Sequence, residues 1–310
     1  MRIAVFGVGG VGGYFGGRLA EAGEDVAFIA RGKHLEAMRT HGLHVESING
    51  DFNIDPVNAT DDPREVGPVD FVLVGVKAWQ LKDAAAAIKP LVGETTTVVP
   101  LLNGVEAPSV LAAELGEERV LGGFCAIISF IDGPGRIKHA GYPPFIAFGE
   151  LDNSPSERAQ TLCDAFERAG VNAIIPEDIH AAMWRKFLSI TGLSGMGAVL
   201  GLPVGAWRDI PETRTLLRSA FQEVFDVATA RGVALPEGAV DEAMMNFDSL
   251  PDDATASMQR DIQAGRPSEL EAQTGTVVRF GAEAGVPTPV SDFIYGVLLP
   301  RERSARSQGG

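Results

Sequence analysis

Cysteine is almost missing from this chain: Cys125 and Cys163 are the only two among 310 residues. Two are too few for a disulfide framework or a cysteine zinc site. The five histidines show no spacing on one helix face that suits a metal, and no metal is expected. Positive charge is also short. The 26 Lys and Arg are outnumbered by 41 Asp and Glu, a formal net charge of −15, which argues against nucleic acid or an anionic membrane surface as partner. No run of about 18 apolar residues occurs, so no membrane span is expected. The N-terminus passes from Met1-Arg2 directly into Ile3-Ala4-Val5-Phe6 and then glycines, without the apolar stretch of a signal peptide. A cytoplasmic protein is the expectation. There is no Gly-x-Ser-x-Gly elbow to support hydrolase chemistry.

What is present is a rhythm. Short apolar runs at Arg2–Phe6, Asp25–Ala30, Phe71–Val76, Thr97–Leu101 and Val120–Ile128 alternate with helix-like stretches at Val11–Ala22, His34–Thr40, Leu81–Ile88 and Ala107–Leu115. That alternation predicts βαβ units and a parallel sheet. After a turn at Asp132-Gly133-Pro134-Gly135, Arg136–His139 and Phe145–Phe148 read as antiparallel strands. A helix from Ser156 to Ala169 and a strand at Val171–Ile175 follow. Beyond Pro176 strand signals cease, and helices are expected over Asp178–Val199, Glu212–Arg231, Pro236–Phe247, Ala254–Ala264 and Glu269–Ala284. Asp252-Asp253 reads as a helix-initiating cap. The fold class is therefore α/β, a Rossmann-type dinucleotide-binding domain over 1–176 followed by an all-α domain over 177–300. The polar tail 301–310 is expected to be disordered.

Gly7-Val8-Gly9-Gly10-Val11-Gly12 forms G-x-G-x-x-G. The pattern alone is weak, but here it follows a predicted strand and opens a predicted helix, the context for binding a dinucleotide pyrophosphate at a helix start. At the end of the second strand an NAD site carries a carboxylate for the ribose hydroxyls; this chain has Arg31, followed by Gly32-Lys33-His34. A guanidinium suits a 2′-phosphate through paired charge-assisted hydrogen bonds, which points to NADP(H); the bland alternative is a solvated loop charge. Two further strand ends carry Lys77 and Asn103-Gly104. Ligands in open α/β sheets bind outside the carboxyl ends of strands, so these two polar residues read as lining for the nicotinamide side.

At this point the chain resembles the 2-dehydropantoate 2-reductases, or ketopantoate reductases. The resemblance rests on the glycine loop, Arg31, Val76-Lys77-Ala78-Trp79-Gln80, Asn103-Gly104, Trp184-Arg185-Lys186, and Ser257-Met258-x-x-Asp261 followed by Glu269. It implies that Lys186 is the catalytic lysine and Glu269 the carboxylate paired with it and with substrate. It also implies that Lys77 and Asn103 serve the cofactor side, and that Ser257 contacts substrate. The activity implied is NADPH-dependent reduction of a 2-oxo acid. The chemistry is coherent: a hydride reaching a ketone carbon leaves negative charge on oxygen, and a lysine ammonium there stabilises the charge and delivers a proton. The ordinary alternative for Lys186 is a solvated helix lysine, although Trp184 and Phe187 beside it suggest partial burial.

The resemblance also implies asparagines four and eight residues after the lysine, another past the end of that helix, and a fourth three residues before Ser257. Here those positions hold Ile190, Ser194, Val204 and Ala254. Ser194 is retained, with Asn103 and Ser257, as a substrate contact; Ser189 and Thr191 are partial substitutes for the missing amides. The leading expectation is conversion of 2-dehydropantoate to pantoate, a step of pantothenate biosynthesis. The alternatives are a paralogous reductase for a more apolar 2-oxo acid and a non-catalytic NADP(H)-binding sensor. The partners expected are a small 2-oxo acid in the interdomain cleft and, as an open option, a second copy of the chain.

Overall fold

In the computed structural model, which describes residues 1–308, the chain divides into two compact units. One is Met1–Leu102 with Glu106–Ile179; the other is Asn103–Val105 with the residues from His180 onward. The first unit runs β1 (Arg2–Phe6), α1 (Gly10–Glu21), β2 (Asp25–Ile29), α2 (Gly32–His41), then the short strands β3 (Leu43–Ser47), β4 (Phe52–Ile54) and β5 (Asn58–Thr60). After the single turn α3 (Pro63–Val66) come β6 (Phe71–Val74), α4 (Leu81–Ala87), β7 (Thr97–Pro100) and α5 (Ala107–Leu115). The long strands β8 (Leu121–Gly133) and β9 (Arg136–Glu150), then α6 (Glu157–Arg168) and β10 (Asn172–Ile174), complete it.

Five strands make a parallel sheet in the order β5-β2-β1-β6-β7. Beyond the exposed first residues Arg2 and Asp25, its central strands are apolar because both faces are covered. Ile3, Val5, Phe28 and Leu73 pack into one buried cluster, and Ala4, Phe6, Ala27, Val72 and Val74 into another on the opposite face. A second sheet holds β10-β9-β3-β4, with β8 paired to β9. The two segments expected as separate antiparallel strands, Arg136–His139 and Phe145–Phe148, are halves of the single strand β9. The first half pairs with β3 and the second with β10, and both are antiparallel to β8. Gly141 and the prolines at 143 and 144 fall where the β8 ladder shifts register, the place in a strand that tolerates residues unable to donate.

The second unit is helical: α7 (Ile179–Leu200, whose first residue belongs to the first unit), α8 (Pro211–Ala230), α9 (Ala239–Asp248), α10 (Ser257–Gln263), a π-helical turn over Glu271–Gly275, α11 (Thr276–Ala284) and α12 (Pro289–Gln308). α7 is apolar on most of its circumference because its neighbours enclose it. A Cβ at Gly192 would come within 2.5 Å of the Phe221 ring, so a side chain there would push α8 away. Asp252 does not cap α10, which starts at Ser257; it pairs with Arg208, and its carbonyl accepts the Gly205 N–H at 2.9 Å. No helix among the described residues is long and apolar enough to cross a membrane.

The expected disordered tail is corrected as far as Gln308, since α12 continues through Pro300 to that residue; Gly309 and Gly310 lie outside the described residues. The physical reason is a carboxylate. Glu302 is 2% exposed, accepts the Ser268 N–H at 3.0 Å and the Ser268 hydroxyl at 2.5 Å, and pairs with Arg306 at 2.7 Å. A segment that looks solvated from composition thus buries a charge with its partners in place. At the other end of α12, Glu223 of α8 accepts the N–H groups of Val290 and Ser291 at 2.7 and 2.8 Å, satisfying first-turn donors. Glu302→Ala strands the Ser268 donors and the Arg306 charge, and is expected to cost about 3 kcal/mol of stability. Urea unfolding checks this, and a change below roughly 0.5 kcal/mol refutes the clamp.

Candidate active site

β1 ends at Phe6, beside Ile29 of β2 and Val74 of β6, so the turns after these three strands share one edge of the sheet. Gly7 has φ of +97°, and a Cβ on it would lie 2.9 Å from the Gly75 and Val76 backbone. Gly12 supports the close approach of α1: its Cβ would meet the Gly7 carbonyl oxygen at 2.2 Å. Gly9 faces open space, and no side chain caps α1. Gly13 is the first α1 residue to bond back along the helix, to Gly9 O at 2.8 Å, so Gly10, Val11 and Gly12 present first-turn N–H groups without intrahelical acceptors. Val8 is buried and offers only its backbone. An open glycine and a free helix start without a carboxylate fit a pyrophosphate.

Arg31 is exposed and occupies the N-cap position of α2, with Lys33 exposed in the first turn and no acidic side chain there. The two cations and the positive helix end reinforce each other toward an anion. His34, one residue on, accepts the Gly135 N–H on Nδ1 at 3.0 Å; burial holds its pKa below the ordinary histidine value, which keeps that nitrogen free to accept. Lys77 follows β6, is half-buried, and stands 5.7 Å from the Trp79 ring centre. Its backbone N–H is accepted by the Gln80 side chain at 3.3 Å.

The second constellation lies wholly in the helical unit. Three residues past the end of β7 the chain enters that unit at Asn103. The Lys186 ammonium on α7 donates to Asn103 Oδ1 at 2.9 Å, and Asn103 Nδ2 donates to Glu269 Oε2 at 2.9 Å. The polarity is forced: the ammonium only donates and the carboxylate only accepts, which orients the amide between them. Glu269 is 5% exposed, while Lys186 is half-buried beside the buried rings of Trp184 and Phe187, packed edge to face. An ammonium carries three donors, and partial burial lets one of them face a ligand oxygen.

The remaining predicted residues are not brought together in the same way. Ser257 is half-buried at the start of α10. Ser194 is fully buried, and its hydroxyl donates to Gln273 Oε1 at 2.5 Å. Ile190, one turn beyond Lys186, is half-buried. Val204 and Ala254 are joined by a backbone hydrogen bond of 3.0 Å and pack together in the helical core. Ser189 donates back to the Arg185 carbonyl, and the Thr191 hydroxyl is buried without a partner. Among the described residues no group of three or more His, Cys, Asp or Glu side chains is placed to hold a metal ion. The sequence reading missed Gln273, whose position four residues after Glu269 puts it on the same helical face.

A family model described as ketopantoate reductase PanE/ApbA matches residues 3–153, and its C-terminal counterpart matches 178–302. This chain belongs to the ketopantoate reductase family. A 2-dehydropantoate 2-reductase of Mesorhizobium japonicum is 30% identical, the alignment covering 96% of this chain and 97% of the relative. The solved 2-dehydropantoate 2-reductase of Geobacter metallireducens superposes with a TM-score of 0.91 at 34% identity, covering 97% of this chain and 99% of that one. A PanE/ApbA family ketopantoate reductase from Ralstonia eutropha gives 0.91 at 29% identity, covering 99% and 100%. As a ketopantoate reductase family member the protein is a nicotinamide-dinucleotide-dependent oxidoreductase of 2-oxo acids, and it shares the family's two-domain fold.

Proposed function

We propose that this protein reduces the ketone of a 2-oxo acid with a predominantly apolar side chain, using NADPH. The observation that carries the reading is the hydrogen-bonded chain from Lys186 through Asn103 to Glu269. NADPH, when bound, supplies the hydride that adds to the ketone carbon. Lys186 donates to the ketone oxygen, stabilises the charge that builds there, and gives it a proton, so a 2-hydroxy acid forms with uptake of one hydride and one proton. Asn103 and Glu269 hold the ammonium in its donor orientation. Gly7, Val8, Gly9, Gly10, Val11 and Gly12 receive the pyrophosphate on backbone N–H groups, Arg31 takes the 2′-phosphate, and Lys77 serves the nicotinamide side.

The substrate class follows from the four positions where the resemblance implies asparagine. Ile190 carries hydrocarbon one turn beyond Lys186 on α7, Val204 and Ala254 are apolar, and the Ser194 hydroxyl is committed to Gln273. A site with few polar groups gains little from a substrate hydroxyl, and strong discrimination requires such groups. Asn103 and Ser257 remain as substrate contacts. A second reading, reduction of 2-dehydropantoate to pantoate, is favoured by the relatives that carry that name. Loss of NADPH absorbance near about 340 nm with a panel of 2-oxo acids separates the two. The expected result is that branched and aromatic 2-oxo acids match or exceed 2-dehydropantoate in kcat/KM. Preference for 2-dehydropantoate by several orders of magnitude overturns the apolar class and restores the second reading.

A further inference from the structure

Glu269 is a buried carboxylate that must keep its direction, and Asn103 supplies only one of its donors. The other comes from a residue with no part in the reaction. Gln273 is fully buried in the π-helical turn after Glu269; its Nε2 faces Glu269 Oε2 at 3.4 Å, and its Oε1 accepts the Ser194 hydroxyl at 2.5 Å. Ser194 is likewise fully buried and lies on α7, two turns beyond Lys186. The carboxylate only accepts, so the Gln273 amide cannot reverse without presenting its oxygen to it; the Ser194 hydroxyl donates to the oxygen this leaves and pins the far end of the side chain. The two arms close on one acceptor: Lys186 to Asn103 to Glu269 on one side, Ser194 to Gln273 to Glu269 on the other.

We infer that Gln273, pinned by Ser194, is the positioning residue that keeps Glu269 aimed at Asn103. The inference rests on the reductase reading above. It reassigns Ser194 from substrate to the support of the carboxylate. Removing the amide takes from Glu269 Oε2 one of its two side-chain donors and lets the carboxylate turn away from Asn103. The other charged groups around this segment are Lys186, reached through Asn103, and the Glu302–Arg306 pair that holds Ser268. Glu271, in the same turn, is engaged by Tyr295 and Arg279.

The test is Gln273→Met, which keeps the volume and removes both hydrogen bonds. The expected result is a fall in kcat of about tenfold with the KM for the 2-oxo acid changed by less than about twofold, and with NADPH binding, read by fluorescence, unchanged. Ser194→Ala leaves the Gln273–Glu269 contact in place and is expected to lower kcat by less, again with KM unchanged, which keeps the inference testable if Gln273→Met folds poorly. An unchanged kcat in both variants, or a loss carried by KM alone, alongside turnover that collapses in Lys186→Ala and Glu269→Gln, overturns the positioning role alone. Turnover that survives both of those latter substitutions removes the reductase reading and the positioning role with it.

Discussion

Lys186→Ala is expected to lower kcat by at least about two orders of magnitude, the usual contribution of a positioned general acid. In the proposed reaction the loss falls on the chemical step, because there this ammonium is the donor that meets charge developing on the ketone oxygen. Its geometry is prepared in advance: the helix that carries it is enclosed by apolar neighbours, the rings of Trp184 and Phe187 flank it, and Asn103 accepts one of its protons at 2.9 Å. Preorganised donors need no rearrangement as charge appears, which is the source of their effect. Lys186→Arg separates the two contributions, because a guanidinium keeps the charge but does not give up its proton near neutral pH. Substrate affinity is expected to recover in that variant while kcat stays low. Initial rates of NADPH oxidation measure both, and near-normal turnover in Lys186→Ala ends the proposal.

Arg31→Ala is expected to weaken NADPH binding by roughly ten- to a hundredfold while leaving NADH almost untouched. The asymmetry comes from the 2′-phosphate, the one group that distinguishes the two cofactors. Arg31 caps a helix start with Lys33 beside it and no acidic residue in the first turn, so the alanine variant loses the paired hydrogen bonds but keeps the helix end and one cation. Residual discrimination of a few fold is therefore expected to persist. Titration of the two dinucleotides by fluorescence gives the ratio directly. Equal losses for both cofactors, or none for NADPH, assign the 2′-phosphate elsewhere.

The parallel sheet was readable because its signals are local. β1, β2, β6 and β7 are unbroken apolar runs ended by turns, and the glycine pattern sits at the junction of the first strand and helix. The strand β3 carried a usable signal that went unread: Leu43, Val45 and Ser47 point inward while His44 and Glu46 face out, the alternation of a half-buried strand. β9 was divided at Gly141-Tyr142-Pro143-Pro144 because prolines ordinarily end a strand, and the register shift against β8 that absorbs them is a property of the partner. The helix α12 was lost for a related reason. Its polar composition predicts solvation, and only the position of Ser268 and Arg306 makes burial of Glu302 favourable.

The sequence alone determined the chemistry available: a glycine-rich helix start of the kind that suits a phosphate, a cation where a ribose-binding site carries a carboxylate, and a lysine on an apolar helix. Those features depend on neighbours a few residues apart, which the chain itself specifies. Tertiary packing decided which polar groups meet. Lys186 and Asn103 are 83 residues apart, and Asn103 and Glu269 are 166 apart; no periodicity encodes such pairings. They arise because a buried carboxylate must find donors wherever the packed helices bring them. The same requirement drew Ser194 and Gln273 into the core together, a partnership fixed by the fold and invisible in either residue alone.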